Sequence, residues 1–121
     1  MQDYPKRIKK QLRELSGVAY KRDLDAALSD LHKQFEAWQQ GKIDYWDLND
    51  LIHKFHDGIS RDLYKSYVMF GNHHHGFLVA DALVREVLRR EEVSDEVYQL
   101  IKPERMVSSL DKRHKILNDY I

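Results

Sequence analysis

The chain has 121 residues and a mass of 14.5 kDa, the size of one domain. Hydrophobic residues make up 42% of it and charged residues 33%, which excludes a disordered chain. It contains no cysteine, so disulfides, thiolate zinc sites and thiol nucleophiles are excluded. The first residues carry no apolar signal core, and no apolar run approaches about 18 residues. We therefore expect one cytoplasmic domain over 1–121, with no membrane partner.

The 20 basic and 20 acidic residues cancel in total but are unevenly distributed. Residues 1–22 hold seven basic and two acidic side chains, a net charge of +5. Residues 23–62 hold four basic and nine acidic side chains, a net charge of −5. We interpret 1–22 as a basic N-terminal helical arm that docks on the acidic segment, either within one copy or between two. A homo-oligomer or another protein partner is the resulting expectation.

Two apolar stripes with helical spacing occupy the first third of the chain. The first is Ile8, Leu12, Leu15 and Ala19, and the second is Tyr20, Leu24, Leu28, Leu31, Phe35 and Trp38. At about 100° per residue the stripes point roughly 140° apart, so one straight helix cannot bury both against a single surface. Either the chain breaks at Ser16-Gly17, or a continuous helix has different neighbours at its two ends. We favour a long helix with a kink near Gly17.

The next helices are predicted from their caps. Gly41 can end the first helix in a left-handed conformation, and Asp44 is a good N-cap for a second helix with an apolar stripe over 48–55. Asp57-Gly58 is predicted to end this second helix, and Ser60 is predicted to cap a short third helix that extends to about residue 70.

The second half of the chain continues the helical pattern. A Gly-bounded loop covers 71–76, and a fourth helix is predicted over 77–90. Ser94 caps a short fifth segment, and Pro103 opens a last helix to about residue 120. No stretch shows the alternation of a half-buried strand. The sequence therefore predicts a single all-α domain of five to six helices.

A small polar ledge is expected on the second helix. His53 and His56 lie beside Asn49, about 80° to 140° round from the apolar stripe, and Asp57 follows directly. These side chains could bind a ligand, or they could be boundary residues that hydrogen-bond to neighbouring helices.

Seven histidines suggest metal binding, although no cofactor is required by any other feature. His73, His74 and His75 are consecutive in the Gly-bounded loop, where they could hold Zn or Ni. The alternative is a polar surface loop that binds such ions adventitiously.

The pair His56-Asp57 resembles the adjacent His-Asp of the HD superfamily of metal-dependent phosphohydrolases, which are all-helical. The resemblance implies a divalent-metal hydrolase, with Mn as a candidate ion, in which His32, His56, Asp57 and either Asp81 or Asp111 are the ligands. Lys54 and Phe55 stand where that family has small apolar residues, so the resemblance covers two residues only.

Asp81 interrupts an apolar run, and Arg85 is four residues on, so an ion pair at the helix edge is expected. Lys6, Lys10 and Arg13 fall on one side of the first helix and, with Trp46, are candidate partner-binding residues. We expect a helical interaction or regulatory module that self-associates and has no catalysis of its own. A metal hydrolase, and nucleic-acid binding through the basic arm, are the alternatives.

Overall fold

The computed structural model describes residues 4–69 and 74–106, and within these ranges every regular element is helical. The prediction of an all-α fold is confirmed. The α-helices are α1 (Lys6–Gln39), α2 (Tyr45–Phe55), α3 (Arg61–Tyr64), α4 (His75–Val84) and α5 (Asp95–Ile101). Two π-helical turns, His56–Ser60 and Lys65–Met69, flank α3, and two short 3₁₀ turns occur at Arg90–Glu92 and Pro103–Met106.

The first helix is continuous. α1 has 34 residues and passes through Gly17 without interruption, so a break at Ser16-Gly17 is wrong and a kink there is not confirmed. At 1.5 Å per residue the helix is about 50 Å long. Its fully buried residues are all in its first half, at Ile8, Leu12, Ser16 and Ala19. The continuous helix therefore has different neighbours at its two ends.

The turn between α1 and α2 follows the predicted caps. Gly41 is left-handed, with φ of 75°. Its N–H donates to Trp38 and that of Lys42 donates to Ala37, which is the Schellman arrangement. The Asp44 side chain then accepts a hydrogen bond from the N–H of Asp47 at 2.8 Å and caps α2. Because the connection is short, α1 and α2 form an antiparallel helical hairpin.

Residues 45–69 form one helical run, so the predicted stop at Asp57-Gly58 and the predicted cap at Ser60 are wrong. Half-buried and buried side chains recur every four residues here, at Phe55, Ile59, Leu63 and Tyr67. Four-residue steps drift by about 40° each in an α-helix. A π-turn contains an extra residue, so the two π-turns offset this drift and keep the apolar side chains on the core side.

The described residues thus contain four helical units, over 6–39, 45–69, 75–84 and 95–101. The predicted count of five to six helices is not confirmed. The helix predicted from Pro103 to residue 120 begins as a 3₁₀ turn, and the rest of it lies outside the described residues.

The fourth helix ends earlier than predicted. α4 stops at Val84, and Glu86 takes a left-handed φ of 62°. Its N–H donates to Leu83 and that of Val87 donates to Ala82, a Schellman ending built with glutamate in the place usually taken by glycine. The chain then reverses and buries Leu88. Ser94 caps α5 as predicted, accepting from the N–H of Val97 at 3.3 Å.

The core is built from the first half of α1, the run 45–69, α4 and α5. Its buried members are Ile8, Leu12, Ala19, Leu63, Tyr67, Leu78, Val79, Ala82, Leu88, Val93 and Val97. The second half of α1 and the start of α2 contribute none of them. The hairpin therefore extends beyond the core.

Two glycines give opposite expectations for the same substitution. Gly17 lies inside α1, and a Cβ added there would contact no neighbouring atom within 4 Å. Because alanine favours the helix more than glycine does, Gly17→Ala should raise the free energy of unfolding by about 1 kcal/mol. Gly41 is equally open but has a positive φ, so Gly41→Ala should lower it by about 1 kcal/mol. Urea unfolding of both variants checks this, and a destabilised Gly17→Ala would contradict the continuous helix.

Candidate functional site

A buried ion cluster joins α1, the second π-turn and α4. The Arg85 guanidinium donates two parallel hydrogen bonds to Asp23, each 3.0 Å long, and its Nε donates to Asp81 at 2.9 Å. The Tyr67 hydroxyl donates to Asp23 at 2.6 Å and accepts from Arg85 at 3.1 Å. Asp81 is 1% exposed. The predicted Asp81–Arg85 ion pair is confirmed, but it lies in the core rather than at the helix edge.

The charged groups of the cluster are hydrogen-bonded to one another. All three nitrogens of the Arg85 guanidinium donate to an oxygen, and the Tyr20 ring stacks on Tyr67 with ring centroids 5.2 Å apart. Two carboxylates around one guanidinium are stable in a core only when such hydrogen bonds satisfy them. We interpret the cluster as a structural clamp that holds α1 at residue 23, because its polar atoms are occupied by one another.

Burial raises the pKa of the Tyr67 hydroxyl well above its ordinary value, and the hydrogen bond to Asp23 raises it further. The phenol is therefore fixed as a neutral donor. A proton-transfer role at neutral pH is not consistent with this environment.

The basic arm contacts other acids than expected. Arg22 binds Glu92 through two hydrogen bonds of 2.7 Å, and Arg7 pairs with Glu96. The hydrogen bonds from Arg22 hold the pKa of Glu92 at about 2. The prediction that the arm docks within one copy on 23–62 is wrong for these two arginines. Of the described ion pairs, the arm reaches that segment through Lys21–Asp25, one turn apart on α1.

The predicted polar ledge lies on the solvent side of the helical run. Asn49, His53, His56 and Asp57 are all exposed. The nearest charged partner of Asp57 is Arg61, at 3.6 Å on the next turn. The four share one side of α2 and its π-turn, as the spacing predicts, but they line neither the open cavity along α1 at 25–36 nor the one between α4 and α5.

The histidine loop is described only in part. His74 is the exposed N-terminal cap residue of α4, His75 is half-buried, and His73 lies outside the described residues. Burial, followed by the positive charge of Arg13, lowers the pKa of His75. Its buried Nδ1 has no hydrogen-bond partner in the described part of the chain.

The described residues of the HD-like set do not come together, and the alternative ligand Asp111 lies outside the described residues. His32 is exposed and bonds to Glu36 at 2.8 Å on α1, whereas Asp81 is held by Arg85 inside the core. Within 4–69 and 74–106, no three side chains of His, Asp or Glu are arranged to hold a metal ion. The geometry supplies no support for the hydrolase alternative.

The candidate partner-binding residues are all accessible. Lys6, Lys10 and Arg13 are exposed, and no acid of the described residues pairs with them. Trp46 is 69% exposed. Three cations and one indole are thus available to a partner, at opposite ends of the α1–α2 hairpin.

A group of exposed apolar side chains lies on this hairpin. Its members, which we call the hairpin face, are exposed to between 36% and 75%: Leu28, Phe35, Trp38, Tyr45 and Ile52. Leu28 and Phe35 are seven residues apart on α1, and Tyr45 and Ile52 are seven apart on α2. With the helices antiparallel, helical geometry places both pairs on the same side of the hairpin, away from the core.

Sequence reasoning missed Asp23 and Tyr67 in the ion cluster. Asp81–Arg85 is a local spacing that a sequence displays, whereas Asp23–Arg85 joins residues 62 positions apart. One signal was available: at 100° per residue Asp23 falls between the two apolar stripes of α1, so a carboxylate there must find a partner on the buried side.

Among the described residues, no helix is both long and apolar enough to cross a bilayer. No family model, curated protein or solved structure matches the chain.

Replacing Arg85 should break the ion cluster. Arg85→Gln leaves two buried carboxylates without their cation and should lower the free energy of unfolding by about 3–5 kcal/mol. Arg89→Gln is the matched control: its side chain is 68% exposed, and it should cost less than about 0.5 kcal/mol. Chemical denaturation measures both, and equal effects would contradict the clamp.

Alkaline pH should weaken the fold through Tyr67. Because its pKa is higher in the folded state, the hydroxyl stabilises fully below the unfolded value of about 10, and this contribution is lost as pH rises above it. Unfolding free energies at pH 9 and 11 should therefore fall more steeply for the wild type than for Tyr67→Phe. Tyr64→Phe, at an exposed position outside the α1–α2 hairpin, should retain the wild-type slope. Identical slopes for all three proteins would contradict this environment for Tyr67.

Proposed function

We propose that the protein is an interaction module that self-associates through the hairpin face. The observation that carries this proposal is the second apolar stripe of α1, which α2 covers only in part. Leu24 and Leu31 are half-buried, but Leu28, Phe35 and Trp38 on the same stripe remain exposed. Exposed apolar side chains in one contiguous group are typical of a protein-binding surface.

The size of the hairpin face supports an interface. Its three aromatic and two aliphatic side chains expose roughly 500 Å² per copy, taking about 150–250 Å² for a whole aromatic side chain. Two copies would bury about 1,000 Å², which is the lower bound for a specific interface.

The chemistry of the hairpin face also favours a protein partner. Three of its five side chains are aromatic, although aromatic residues make up 11% of the chain. Interface centres are poor in charge and rich in aromatic residues. A second copy of the hairpin presents the same apolar surface, and two such hairpins together form a four-helix arrangement that covers the second stripe of each copy.

The proposal is tested by oligomeric state. Sedimentation equilibrium at micromolar concentration should give a mass near twice 14.5 kDa. Phe35→Lys places a charge in the middle of the hairpin face and should weaken association by about 100-fold.

Ala26→Lys is the matched control. Ala26 is exposed on α1, nine residues from Phe35 and therefore about 180° round the helix, so this variant should associate as the wild type does. Circular dichroism should show unchanged helicity for both variants. A wild-type protein that stays monomeric at these concentrations would overturn the proposal.

A further inference from the structure

The two copies have a definite relative orientation, which the pattern along α1 indicates. Residues 24, 28, 31, 35 and 38 follow one another at alternating spacings of four and three, the repeat of a coiled-coil seam. We call these residues the α1 seam. Traced toward the N-terminus, the same repeat passes through Lys21 and Gly17, both of which are exposed.

We propose that two copies pair their α1 seams antiparallel, with Leu24 against the partner's Phe35 and Leu28 against the partner's Leu31. This inference rests on the proposed self-association and adds its geometry. In an antiparallel pair, each step toward the N-terminus on one α1 is matched by an equal step toward the C-terminus on the other. Lys21 therefore lies against the partner's Trp38.

Burial favours this register. It produces four consecutive apolar layers, since Leu24, Leu28, Leu31 and Phe35 each meet an apolar side chain of the other copy. Trp38 then lies at each end of the paired segment, where the ammonium group of the partner's Lys21 can approach the indole face. Moving one copy by a heptad toward the N-termini would instead pair Phe35 with Gly17 and leave only two apolar layers. Moving it by a heptad in the other direction keeps four layers, with Leu28 against the partner's Trp38, but leaves Leu24 beyond the end of the partner's α1 at Gln39.

Charge favours the antiparallel direction. The cations Lys6, Lys10 and Arg13 lie on the same side of α1 as the seam, and no described acid pairs with them. A parallel pair would bring two such sets together, which is unfavourable. In the antiparallel pair the two sets are at opposite ends.

The chain contains no cysteine, so introduced cysteines can report the orientation directly. Lys21→Cys and Trp38→Cys are made as two separate full-length proteins, each of which retains the four apolar layers. They are treated with a short bis-maleimide alone and as an equimolar mixture. In the proposed register residue 21 is next to residue 38 of the other copy, and about 25 Å separates two copies of either position.

The mixture should form a covalent dimer, and each protein alone should remain uncross-linked. Cross-linking of each protein with itself would overturn the antiparallel direction. A dimer by sedimentation with no cross-link in the mixture would overturn the register, while the proposed function stands. A monomeric wild type would overturn both, so the two failures are distinguishable.

Discussion

The constraint on which this structure depends is that one uninterrupted helix carries two apolar stripes about 140° apart. No single surface can cover both. The fold covers the first stripe with α4, α5 and the run 45–69, and α2 covers part of the second. The remainder is the exposed apolar surface on the hairpin. The candidate function therefore follows from the same feature of α1 that organises the core.

The ion cluster marks the boundary between these two environments. Arg85 holds α1 at Asp23, four residues after the last fully buried position of that helix. An apolar pair of similar volume could stabilise the fold as much, because burying ions is costly. What the cluster adds is direction: the bidentate contact fixes how α1 is rotated against α4. That rotation determines which side of the hairpin faces away from the core.

Much of this was readable from the sequence because it depends on local chemistry. The Asp44 side chain caps α2 within one helical turn. Gly41 ends α1 because a residue without a side chain readily adopts a positive φ. The errors have physical causes as well. Asp57-Gly58 looks like a stop, but packing every fourth residue favours a π-turn that continues the helix. The end of α4 was missed because no glycine marks it, and Glu86 adopts the left-handed conformation there instead. The chain then reverses and buries Leu88.

The predicted HD-like ligands stay apart for a related reason. Residue spacing can place two histidines on one helix face, but convergence of ligands from several helices depends on tertiary packing. Here packing directs Asp81 inward to Arg85 and leaves His32 outside on α1. The predicted docking of the basic arm on 23–62 within one copy is likewise wrong for Arg7 and Arg22, which pair with Glu96 and Glu92.

The low burial within the hairpin supports the interaction proposal on energetic grounds. The second half of α1 contains no fully buried residue, and α2 contains only Leu48. Regions with few buried contacts open at the lowest free-energy cost. A partner that binds only the folded hairpin stabilises it by mass action. The hairpin would then gain from a second copy the burial that its own core does not supply. The hairpin face would then contribute both to binding a second copy and to stabilising the hairpin itself.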